Sequence, residues 1–145
     1  MCYSRLLHEG GAVASRLIRH DTLALVVPES HPIVTKSMIT PASLRNERFI
    51  PATLTDGETY QMKIDQVFAH YGLEPDIRFE SDFGSVIMSA VEKGLGISII
   101  PFSYSYANHP GVRFITLPFE IPLYLHWRKD EENAVVKNIL ELTVN

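Results

Sequence analysis

A single cysteine, Cys2, is all that the chain carries. An internal disulfide is therefore excluded, and the usage fits a reducing compartment. No apolar stretch approaches the roughly eighteen residues that a membrane span needs. The opening MCYSRLLHEGGAV is broken by Arg, His and Glu, so it lacks the apolar centre of an export signal. These absences indicate a cytoplasmic protein that does not engage a membrane. A basic cluster is also missing. Lys and Arg total 13 against 17 acidic residues, a net charge of −4, and the basic residues are scattered. Duplex DNA is gripped through phosphates by clustered cations, so direct DNA contact by these residues alone is not expected. There is no internal repeat and no low-complexity segment.

Patterns that carry chemistry are equally scarce. The histidines at 8, 20, 31, 70, 109 and 126 never fall at the close spacing of a zinc pair, so no metal site is expected. Ser103 and Ser105 have no Gly-x-Ser-x-Gly elbow around them. Glu131 and Glu132 precede the last helix, where solvation or the helix dipole accounts for them. No cofactor is implied, and an enzyme is not expected.

What is present is an ordinary globular composition, 145 residues with 46% hydrophobic, enough for one compact domain or one large lobe. TLALVVP (22–28) reads as a buried strand, and TPASL (40–44) as a short helix with Thr40 as N-cap and Pro41 at its first position. RFIPA (48–52) follows as a strand. Thr55 and Glu58 then have capping-box spacing, with Asp56 as the alternative cap, before a helix bearing Tyr60, Ile64, Val67 and Tyr71 and ending at Gly72. DIRFES (76–81) reads as a third strand. Asp82 or Ser81 is expected to cap a helix through Val86, Ile87, Ala90 and Val91. GISIIP (96–101), VRFITL (112–117) and LYLHWRK (123–129) read as strands, with Pro118 and Pro122 bracketing a connection. A final amphipathic helix carries Val135, Val136, Ile139 and Leu140. Strands alternating with helices indicate an α/β fold, mainly parallel.

The stretch EKGLGISIIP (92–101) tests that order. A glycine loop that cradles phosphate follows a strand and opens a helix. Here the glycines follow a helix and open a strand. Gly94 is therefore expected to stop the helix, and Gly96 to mark a close approach of backbones.

The segments LALVVPESHPI, PASLRNERFI, FAHYGLEPDIRFES, VIMSAVEKGLGISIIP, and VRFITL followed by LYLHWRK occur in this order over residues 17 to 143. Together they resemble the effector-binding domain of LysR-type transcriptional regulators. The resemblance implies a periplasmic-binding-protein-like lobe in an incomplete two-lobed fold. Residues 20–121 would form the second lobe, and 122–145 the return strand and C-terminal helix belonging to the first. Residues 1–19 would be a remnant of the first lobe or unrelated sequence. The helix-turn-helix of the family has no counterpart in these residues. The implied function is small-molecule effector sensing, with alternatives in a periplasmic-type solute-binding lobe or a truncated interaction module that associates with a full-length regulator. A homo-oligomer, or association with such a regulator, is the implied assembly.

In such folds the effector sits between lobes, beside the loop after the second lobe's second strand. That loop is ATLTDGETY (52–60). Thr53 and Thr55 offer hydroxyls there, and helix-start amides favour an anion such as a carboxylate. Tyr60 offers an aromatic face, although core packing competes for it. Asp56 and Glu58 would repel an acidic ligand unless turned outward. Ser81 and Asp82 open another helix on the usual crevice side of an α/β sheet and join the candidate ligand contacts.

Overall fold

The computed structural model describes residues 1–8, 10–52, 58–77 and 80–143. The chain divides into two compact units, Met1–His20 with Pro122–Asn145, and Asp21–Ile121. Two long strands, β2 (Val13–Pro28) and β6 (Val112–Arg128), each contribute to both units.

The larger unit is built on strands fed by helices. Helix α1 (Pro41–Leu44) starts as its sequence predicts: Thr40 Oγ1 accepts from the Ser43 amide at 3.1 Å, while Ser43 Oγ accepts from the Thr40 amide at 2.9 Å. This reciprocal cap satisfies two helix-start donors. Strand β3 (Arg48–Phe49) pairs in parallel with β4 (Asp76–Ile77). Helix α2 (Glu58–His70) lies between them in sequence. It buries Tyr60, Ile64 and Val67, with Tyr71 just beyond, the spacing of one helix face. Gly72, at φ 60°, ends it; its amide donates to Ala69, and that of Leu73 donates to Phe68. Burial pushes the Tyr71 phenol above its ordinary pKa.

Helix α3 (Gly84–Glu92) buries Ile87, Met88, Ala90 and Val91, while Val86 is exposed. Neither Ser81 nor Asp82 is its N-cap. Phe83 occupies that position without a side-chain bond, and Ser81 Oγ instead accepts from the Phe83 amide at 3.1 Å, two residues on. A serine in a turn satisfies the nearest free amide, which here lies before the helix rather than in it. Gly94, at φ 72°, stops α3 with the same pair of bonds seen at Gly72. Strand β5 (Ser98–Pro101) then runs buried through its whole length and pairs antiparallel with β2, from Leu23 opposite Pro101 to Val26 opposite Ser98. Just before β5, Ile97 donates to Arg48 and accepts from Ile50, both at 2.8 Å, and a parallel bridge joins Phe49 to Ile97. The parallel part of the sheet is thus β4, β3 and the entry to β5. The antiparallel part comes from β2.

The smaller unit holds β1 (Cys2–Ser4), paired antiparallel with β6 from Cys2 opposite His126 to Ser4 opposite Tyr124, and helix α4 (Ala134–Leu142). Asn133 caps α4 by accepting from Val135 at 2.9 Å. Its other end is closed by Arg16, which donates to the Leu140 carbonyl and Thr143 Oγ1 and lies 5.3 Å over the Trp127 ring. Val136, Ile139 and Leu140 are half-buried, and Val135 is exposed.

Two expectations are corrected by the strands. The segment 22–28 is the buried end of a strand that begins at Val13; its earlier half is more exposed and lacks the apolar run that betrays the rest. Pro118 and Pro122 do not interrupt β6, which is continuous from 112 to 128. They stand four residues apart, so their missing N–H groups face the same side of the strand, and the other side keeps its donors.

Tyr60 is 2% exposed, and its hydroxyl donates to the Ile99 carbonyl at 3.0 Å. Tyr60→Phe should therefore lower stability by about 1 kcal/mol, the cost of one buried bond, as read by urea denaturation. At Gly96 a Cβ would stand 2.6 Å from the Arg48 carbonyl oxygen, a backbone atom that cannot yield. Gly96→Ala should cost about 2 kcal/mol or more in the same assay. A loss below half of that would mean that the two strands part easily.

Candidate functional site

The strands of the larger unit deliver their C-terminal ends to one edge of the sheet. Strand β3 runs on to Ala52, which is bridged in parallel to Ser81 beyond β4, and the Ser81 amide donates to the Pro51 carbonyl at 3.2 Å. Strand β5 ends at Pro101 and passes into a 3₁₀ turn, Phe102–Ala107. Because β2 runs antiparallel to β5, its beginning reaches this edge too. Continuing the register from Leu23 opposite Pro101 brings Asp21 opposite Ser103, and Ser103 Oγ donates to Asp21 Oδ2 at 2.5 Å. Open α/β sheets bind ligands beyond the carboxyl ends of their parallel strands, where backbone dipoles and helix starts converge.

The side chains at this edge are mixed in character. Ser81 is half-buried, Asp82 is exposed and has an interaction partner, and Phe83 is 68% exposed. Asp21 is buried and its carboxylate accepts the hydrogen bond from the Ser103 hydroxyl. Gly84, the first residue of α3, lies against the Tyr104 ring, so closely that a Cβ at Gly84 would overlap ring carbons. That glycine lets the aromatic turn after β5 pack onto the start of α3. Beneath the edge, Ser98 Oγ donates to the Ile50 carbonyl at 2.6 Å, and Tyr60 donates to Ile99. Both bonds hold the strand ends in place.

Of the residues singled out in the sequence, Ser81 and Asp82 stand at this edge. Thr53 and Thr55, with the Thr55–Glu58 capping pair, fall outside the described residues. Tyr60 is buried in the core, and its hydroxyl donates to the Ile99 carbonyl. Asp21, Ser103 and Tyr104 were not anticipated as edge residues. The pairing of β2 with β5 was the signal needed, since 21 and 103 become opposite only in that register.

Surface hollows exist elsewhere in the unit. One of about 350 Å³ is lined by Gln61, Asp65, Phe68, Leu73, Pro75 and Ile77, beside α2 and β4. Another, of about 290 Å³, lies at the opposite end of the strands around Arg48, Leu95 and Gly96. Neither contains a residue of the edge just described. No group of three or more metal-ligating side chains occurs among the described residues. No helix there is long and apolar enough to cross a membrane.

Comparison with known proteins gives a consistent result. Residues 2–144 match the model of the LysR substrate binding domain. The HTH-type transcriptional regulator XapR of Escherichia coli (strain K12) is 32% identical over 130 residues, covering 86% of this chain and 43% of that protein. The crystal structure of CbnR, a LysR family transcriptional regulator, superposes with a TM-score of 0.78 at 19% identity, over 97% of this chain and 50% of that one. The BenM effector binding domain with its effector benzoate gives a TM-score of 0.72 at 22% identity, over 97% of this chain and 66% of that one. The chain spans less than half the length of curated relatives such as XapR. The two structural likenesses speak for the fold, and the match over almost every residue settles the family: the chain belongs to the LysR substrate-binding domain family.

Proposed function

We propose that this chain senses a small-molecule effector as part of a LysR-type transcriptional regulator, and that the effector contacts the edge where β3, β4 and β5 end. The observation that carries this reading is the convergence there of Ser81, Asp82 and the Asp21–Ser103 pair. Thr53 and Thr55, in the sequence just after Ala52, are assigned the hydroxyl contacts, with Ser81 and Asp82 at the rim. Tyr60 supports the site from beneath.

A small carboxylate or other small anion is the favoured class. The first turn of α3 has no side-chain cap, which leaves its amides as donors for an acceptor group. BenM, a neighbour in fold, binds benzoate, a carboxylate. Asp82 and Asp21 limit how much negative charge such a ligand can bring.

Residues 20–121 act as the second lobe of the sensor, 122–145 as the return strand and helix of the first, and 1–19 as a further part of the first. The effector works by binding two arrangements of the sensor unequally, since equal affinity would shift nothing. The chain catalyses no reaction and works in the cytoplasm. It assembles with copies of itself or with a full-length regulator. Contact with the operator falls to other parts of such a regulator, in keeping with the net charge of −4.

The test is Thr53→Ala in a regulator that carries this domain. Effector response should weaken about ten-fold, the worth of one hydrogen bond near 1.4 kcal/mol. Operator affinity without effector should stay within about two-fold. A response that is unaltered across a panel of carboxylates would move the site away from this edge.

A further inference from the structure

In the smaller unit the His126 ring is 3% exposed and lies between two serine hydroxyls. Its Nε2 is 2.8 Å from Ser4 Oγ, and its Nδ1 is 2.8 Å from Ser15 Oγ. Each hydroxyl is already engaged a second time. Ser4 Oγ donates to the Leu6 carbonyl at 2.9 Å, and Ser15 Oγ donates to the His8 carbonyl at 2.7 Å. A carbonyl only accepts, so these bonds use the single proton of each hydroxyl. Both serine oxygens must then meet the ring as acceptors, and each ring nitrogen must carry a hydrogen. A neutral imidazole has one such hydrogen, whereas an imidazolium has two.

We propose that His126 is an imidazolium in the folded chain at neutral pH, and that its proton straps residues 4–8 of the N-terminal segment and Ser15 of β2 onto β6. Loss of that proton leaves three hydrogens for the four contacts just described. One serine hydroxyl must then rotate toward the ring and release either the Leu6 or the His8 carbonyl. The strap is thereby a proton-sensitive device, independent of where an effector binds.

The surrounding groups set the balance. His8 lies edge-on to the ring at 5.0 Å between centroids, and Tyr124 of the same strand is 6.1 Å away. Arg5 is buried in the strapped segment. Arg16, beside Ser15 on β2, lies over Trp127, the next residue along β6 and so on its other face. Burial opposes a second proton; two charge-assisted bonds to the ring favour it. The neutral ring cannot make all the contacts the geometry holds, and this decides the sign.

The folded-state midpoint of His126 then lies above the ordinary histidine value of about 6.5. Its contribution to stability is complete below about pH 6.5 and is lost as pH rises through the folded midpoint. The experiment is a ring ¹⁵N NMR titration of the full 145-residue chain between about pH 5 and 9. Both His126 nitrogens should show protonated shifts at pH 7, with a midpoint above the ordinary histidine value. A neutral, single-tautomer pattern at pH 7 overturns the proposal. Ser15→Ala should lower the midpoint by about one unit, the effect of one lost charge-assisted bond. An unmoved midpoint in a variant that keeps the wild-type circular dichroism also overturns it. If that variant does not fold, the wild-type titration decides alone.

Discussion

The contact of two backbones at Gly96 is the constraint on which the larger unit depends. Ile97 and the residues Arg48 and Ile50 exchange two amide bonds of 2.8 Å, and only a residue without a Cβ leaves room for the approach. From that point β5 is fixed in direction and register. Ile99 then faces the Tyr60 hydroxyl, Ser98 reaches the Ile50 carbonyl, and Leu23 to Val26 find their partners on β2. Helix α3 has to end before Leu95 for this to happen. Gly94 ends it there by taking the left-handed conformation that a side chain would resist.

Those two glycines were legible in the sequence because their order, helix then strand, is a local property. So were the Thr40 cap, the buried face of α2 and the Gly72 stop, all of which rest on spacing within a few residues. The extent of β2 and β6 was not legible. The first half of β2 lacks the unbroken apolar run of its second half, and β6 carries two prolines that usually punctuate a chain. The start of α3 was misread because Ser81 and Asp82 are good caps in isolation. The amide that Ser81 satisfies belongs to the cap residue Phe83 itself, one residue before the helix.

The candidate site shows the same division. Ser81 could be picked out because it follows a strand and precedes a helix. Asp21 and Ser103 could not, since they are 82 positions apart and meet only through the antiparallel register of β2 and β5. Tyr60 shows that helical spacing locates a face but does not tell a pocket wall from a core. Its hydroxyl found a backbone carbonyl, and that bond anchors the ring inside.

Trp127 is the sole tryptophan of the chain and lies beneath the guanidinium of Arg16, which also closes the end of α4. The arrangement puts the one indole of the chain in the smaller unit. Its emission reports the docking of α4 on that unit. The buried tyrosines of the larger unit, Tyr60 and Tyr71, report on a different core. Excitation selective for indole therefore follows the melting of the smaller unit, without a label.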